Sequence, residues 1–173
     1  MRGRMMEMVR MQSMSDSLPA DGTQALQIAV YSDDRTVREQ IRLALGRKIA
    51  SDLPPIEIYE LATYAAAVKE LSTRHFDGAV FDGEAVPGGM GLVKQIRDEI
   101  PDAPPVVLLI ARSADAWLAA WSGAEQISAY PVDPIRLPND LAEAIRRRRD
   151  GLKGPLHIDY VAPGVGSRHG LNG

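Results

Sequence analysis

A chain of 173 residues suffices for one full-sized domain with short extensions and falls short of two. Hydrophobic residues at 45% and charged residues at 25% describe a globular protein and exclude a disordered one. The net charge of −3 gives no overall pull toward nucleic acid or an anionic membrane, and the lack of cysteine excludes disulfides, thiolate metal sites and cysteine nucleophiles, which fits a cytoplasmic setting.

Residues 1–24 open with MRGRMMEMVRMQSM and close in SDSLPADGTQ, which is linker chemistry. Arg2, Arg4, Glu7 and Arg10 interrupt any signal-peptide core, and no apolar run in the chain reaches the roughly 20 residues that span a bilayer. Two readings of this leader stand: a start placed too far upstream, or a Met-lined segment that folds onto a partner. LQIAVYS (26–32) then reads as an apolar strand ended by Asp33 and Asp34. Val37, Ile41, Leu45 and Ile49 recur at helical spacing until DLPP breaks the helix. IEIYEL (56–61) alternates like a strand, and Thr63 caps a second helix. GAVFD (78–82) is the third strand, followed by a Gly- and Pro-rich loop and the helix LVKQIRDEI. PPVVLLIA (104–111) is apolar enough for a central strand covered on both faces. ADAWLAAW is the fourth helix, AEQISAY a weak fifth strand, and the last helix spans about Pro138 to Arg149.

Five strand–helix units in alternation call for right-handed crossovers and a doubly wound parallel α/β sheet in three αβα layers, with the flavodoxin-like order 2-1-3-4-5. The expected organisation is an N-terminal extension (1–24), one domain (25–150) and an extended C-terminal tail (151–173). In such a sheet functional groups gather at the carboxyl ends of strands. Asp33, Asp34 and Asp82 all fall there, where carboxylates hold Mg²⁺ and a metal-held Asp can accept a phosphoryl group. Equally, Asp33 and Asp34 can simply cap the first helix.

Over about residues 26–149 the chain resembles the CheY-like receiver domains of bacterial response regulators. The resemblance rests on IAVYSDDRTVREQIRLAL, FDGAVFD…PGGMGLVKQIR, PPVVLLIA and GAEQISAYPVDP in that order. It implies that Asp82 matches the phosphoacceptor and Asp33 the principal Mg²⁺-ligating acid. Three switch positions depart from the family. Ser32 stands where a further acid is usual, Ile110 where a Thr or Ser hydroxyl contacts the phosphoryl group, and Tyr130 where a Lys precedes Pro. One extra residue also separates Asp82 from Pro87. Losing the cation and the hydroxyl together removes stabilisation from a transferring phosphoryl group, so Asp82 is expected to be vestigial, with Mg²⁺ absent or weakly bound.

Receivers commonly signal through the face of the fourth helix, fifth strand and fifth helix. Aligned on that family, Trp117 and Ala120 take inward positions, while Leu118 and Trp121 take positions usually polar. Leu118, Trp121 and Tyr130 are therefore the expected partner-binding residues. The competing reading packs Trp117 and Trp121 together into the core. Arg146 to Arg149 read as a solvated helix end that suits the dipole, so no nucleic-acid partner is expected. The tail LKGPLHIDYVAPGVGSRHGLNG holds an apolar stretch, LHIDYV, suited to ordering on a partner, and His157 and His169 lack metal-ligand spacing.

The reading is a stand-alone, degenerate receiver acting as a non-enzymatic interaction module in the cytoplasm. Its Ala- and Arg-rich composition looks actinobacterial. Stand-alone receivers of that group include some resembling accessory partners of larger assemblies, among them the respiratory NADH dehydrogenase at the cytoplasmic side of a membrane. The alternatives are a working receiver phosphorylated on Asp82 with Mg²⁺, and a small-molecule-binding flavodoxin-like protein.

Overall fold

Strands and helices alternate along residues 23–153, the part of the chain that this computed structural model describes. The order is β1 (Leu26–Tyr31), α1 (Arg35–Leu45), β2 (Ile56–Leu61), α2 (Tyr64–Thr73), β3 (Gly78–Asp82), α3 (Gly89–Glu99), β4 (Val106–Ile110), a 3₁₀ turn (Ser113–Asp115), α4 (Ala116–Ser122), β5 (Gln126–Ala129) and α5 (Arg136–Arg149). The five strands are parallel in the order β2-β1-β3-β4-β5, as the alternation predicts.

Composition decides which strand sits where. β3 (GAVFD) and β4 (VVLLI) are buried at every residue, whereas edge strand β2 keeps Glu57 and Glu60 in solvent. One core lies between the sheet and α1 and α5, built on Ile28, Val30, Ile41, Val107, Leu141 and Ile145. The other lies beneath α2, α3 and α4, built on Tyr31, Phe81, Leu92, Ile96, Leu108 and Ala119. Burying both faces removes several large aliphatic and aromatic side chains from water per layer, each contributing about 1.5–3 kcal/mol.

Three element boundaries differ from the expectation, each for a local reason. α1 stops at Leu45, well before DLPP, because Gly46 adopts φ +60° and returns its N–H to the Arg42 carbonyl. Ile49 and Leu53 are then buried from the following loop. α5 starts at Arg136, ahead of Pro138, because Asp133 Oδ1 accepts the N–H groups of Ile135 and Arg136. Pro138 falls in the first turn, where a missing N–H costs nothing. The 3₁₀ turn before α4 shifts that helix's phase, so small residues Ala116 and Ala119 face the sheet. Trp117, expected inward, is instead 65% exposed, and with Trp121 at 63% the core-packing reading of the pair fails too.

The four-Arg run is more than a solvated helix end. Arg148 donates to the Ala103 carbonyl and to Glu125, which is 1% exposed. Glu125 also accepts from Arg97 and from the Val106 N–H, and Arg97 caps the Ala103, Pro104 and Gly123 carbonyls. This network ties the ends of α3 and α5 to the starts of β4 and β5. Arg146 reaches Asp52 across the α1–β2 loop.

Candidate functional site

Asp82 ends β3 with only 3% of its surface exposed, at the carboxyl edge of the sheet. Ser32, which follows β1 and is fully buried, donates its hydroxyl to Asp82 Oδ2 at 2.7 Å. Tyr130, which follows β5 and precedes Pro131 through a cis bond, donates its hydroxyl to Oδ1 at 2.6 Å. The Glu84 N–H donates to the same Oδ1 at 2.9 Å. A buried carboxylate needs such partners to avoid a large desolvation cost, and here all are neutral donors.

The supporting chain is shaped for this contact. Ser32 Oγ accepts from the Asp34 N–H, and Arg38 donates to the Ser32 carbonyl. After Asp82 the loop hugs the sheet, with the Gly83 N–H donating to the Leu109 carbonyl at 2.8 Å. A Cβ at Gly83 would stand 2.4 Å from that carbonyl oxygen, and one at Gly89 would stand 2.2 Å from the Asp82 carbonyl oxygen. Only glycine allows those approaches. Tyr31, wholly buried and edge-on to Tyr64 and Phe81, donates its hydroxyl to the Pro87 carbonyl at 2.7 Å. Burial, aided by Asp33, pushes the Tyr31 phenol pKa up.

Electrostatics sharpen the contrast with a lysine at position 130. Burial first, and then the hydrogen bond to Asp82, drive the Tyr130 phenol far above the ordinary tyrosine range. It stays a protonated, uncharged donor and brings no positive charge to the carboxylate. Ile110 is 4% exposed, packed in the α2–α4 core, and its Cγ2 would lie 3.6 Å from a Cβ at Gly83. It presents no hydroxyl to the site.

Asp33, Asp34, Glu84 and Tyr130 line a shallow pocket of about 440 Å³ over Asp82. The residues present fit a divalent cation poorly. Hydroxyl and amide donors already occupy three acceptor positions of Asp82, and Asp34 Oδ1 is committed to capping α1 at Thr36. Among the described residues no three acidic or imidazole side chains group as a metal site.

Of the residues singled out in the sequence, Ser32, Asp33, Asp82 and Tyr130 come together, with Ile110 beside them. Leu118 is half-buried and Trp121 exposed on α4, away from this pocket. Tyr130 turns its hydroxyl inward and is only partly available to a partner. The cap of α1 is Asp34. Sequence reasoning missed Glu84, whose carboxylate accepts the Ala111 N–H at 3.2 Å and bridges the β3 and β4 ends. An acid two residues after Asp82 was the available signal. The Met-rich leader, LHIDYV, His157 and His169 lie outside the described residues.

No family model matches the chain. An uncharacterized response regulatory protein of Mycobacterium tuberculosis, recorded for strains CDC 1551 / Oshkosh and ATCC 25618 / H37Rv, is 42% identical over 127 residues. The match covers 73% of this chain and 96% of that protein. The chain belongs to the response-regulator receiver family. Solved receivers share the fold at lower identity. The CheY-like receiver domain protein of Methanospirillum hungatei JF-1 superposes with a TM-score of 0.61 at 17% identity, covering 74% of this chain and 99% of that one. A putative response regulator from Chloroflexus aurantiacus J-10-fl gives 0.62 at 20%, covering 72% and 100%. Receiver domains are signalling modules of two-component systems that work on protein partners and typically bind Mg²⁺ at the phosphorylation site. No helix among the described residues of this receiver is long and apolar enough to cross a membrane.

Proposed function

We propose that this receiver acts as a docking module without an effective phosphorylation switch, and that it is not an enzyme. The observation that carries this reading is the capping of both Asp82 oxygens by the Ser32 and Tyr130 hydroxyls. A phosphoryl acceptor needs a free carboxylate oxygen, and positive charge to stabilise the transferring group. Here a serine and a protonated phenol fill the places where the family keeps an acid and a lysine, and Mg²⁺ binds weakly at most. Without an effect of phosphate on the two states of the domain, no population shift follows.

What remains is binding. The partner is a protein or a larger assembly in the cytoplasm, with the respiratory NADH dehydrogenase at its membrane as the class the resemblance suggests. Leu118, Trp121 and Tyr130 contribute to the contact, and residues 1–24 and 151–173 extend it. Two tryptophans more than 60% exposed on one short helix favour this, since exposed Trp is a typical interface anchor. A tagged pull-down from native lysate that includes membranes tests it, and failure of the full chain to retain any stoichiometric protein defeats it.

A further inference from the structure

A second surface carries recognition chemistry of its own. The carboxy-terminal ends of α3, α4 and α5 enclose a groove of about 340 Å³, separate from the pocket over Asp82. Trp121 forms one wall, Ile100 and Pro101 add apolar surface, and Lys94, Arg97, Arg148 and Lys153 supply positive charge. Among the described residues Glu125 is the one acid lining it, and its oxygens are taken by Arg97, Arg148 and the Val106 N–H.

The floor therefore holds two guanidiniums on one carboxylate. Burial, together with the like charge of Arg148, lowers the Arg97 pKa, while Glu125 acts the other way. The buried Nε–H of Arg148 has no hydrogen-bond partner among the described residues. On the rim, Lys94 pairs with Asp98 and Lys153 with Asp102, but those acids are 59% and 92% exposed. Exposed pairs of this kind contribute only about 0–1 kcal/mol, so an incoming carboxylate displaces them at little cost. The Lys94 ammonium also lies 6.0 Å from the Trp121 ring centre, so charge and aromatic surface form one contact.

We propose that this groove docks an acidic segment of a partner protein, one with Asp or Glu beside a Leu or Phe. The apolar side chain packs on Trp121 and Ile100, and the carboxylates face Lys94, Arg148 and Lys153. The positive charge of Lys94, Arg97, Arg148 and Lys153 outweighs the single Glu125 carboxylate and complements an acidic segment locally. The inference extends the docking reading and rests on it only for the premise that a protein partner exists.

The test uses the full chain carrying Trp117→Phe, which leaves Trp121 as the only tryptophan. A synthetic peptide of Asp, Glu, Leu and Phe is titrated while Trp121 emission is followed. The expected result is a saturable blue shift that weakens with salt, and about tenfold weaker binding, equivalent to 1.4 kcal/mol, in Lys94→Glu/Lys153→Glu. Circular dichroism checks that the variant is folded. The proposal is overturned if the Asn/Gln version of the peptide binds equally well, or if duplex DNA or anionic vesicles give the shift and the peptide does not. An emission already blue-shifted and unresponsive would place the chain's own residues or a second copy in the groove, and equally overturns it. A native partner retained equally by wild type and by Lys94→Glu/Lys153→Glu sinks the groove and leaves the docking reading intact, whereas peptide binding with no native partner retained does the reverse.

Discussion

Removing the Tyr130 hydroxyl leaves Asp82 Oδ1 with the Glu84 amide alone while the carboxylate stays buried. Tyr130→Phe is therefore expected to destabilise the domain by about 1–3 kcal/mol in urea unfolding. The same phenol sets an alkaline limit. Its folded pKa is raised, so its contribution is fully present below the unfolded value near ~10 and is lost as pH rises through the folded one. Stability of the wild type should fall above pH about 10, and the fall should be shallower in Tyr130→Phe. A steeper fall in the variant would contradict the assigned hydrogen bond. The substitutions at 32, 110 and 130 are legible as letters, because each breaks a family pattern. Their consequence was not. That Ser32 and Tyr130 converge on one carboxylate, 98 positions apart in sequence and at opposite ends of the domain's chain, depends on the sheet order that brings β1, β3 and β5 ends to one edge.

Elements are held in place by contacts that periodicity cannot reveal. Glu125 looks like an ordinary acid in AEQISAY, yet it is the buried acceptor between Arg97 and Arg148. Glu125→Gln strands two guanidiniums without their counterion, and a loss of about 3–5 kcal/mol in unfolding free energy is expected, read as a lower denaturation midpoint. The exposed Arg146–Asp52 pair gives the contrast: Asp52→Asn should leave the midpoint almost unmoved. The β3–α3 loop has its own constraint. Gly89→Ala would force a Cβ to within 2.2 Å of the Asp82 carbonyl oxygen, so the loop must move, and a lower melting temperature is the outcome to measure. Strand and helix identities were readable from apolar runs and 3.6-residue spacing. The end of α1 at Gly46, the start of α5 at Asp133 and the rotation of α4 were not, because each depends on a local hydrogen bond or a one-turn change of helix type.

At the scale of the whole molecule, scaffold and switch are separate matters. Two layers of helices cover a sheet whose central strands β3 and β4 are buried at every residue, and at its carboxyl edge the Ser32 and Tyr130 hydroxyls hold the Asp82 carboxylate. A pull-down with the full chain against residues 24–150 reads how far the extensions contribute, and a partner held only by the full chain is the expected result. The most direct test of the closed site is intact-mass analysis after incubation with acetyl phosphate and Mg²⁺. Wild type should gain no phosphoryl group, and Ser32→Asp/Ile110→Thr/Tyr130→Lys should gain one that disappears with Asp82→Ala. A phosphoryl gain by the wild type, abolished by Asp82→Ala, would contradict the account.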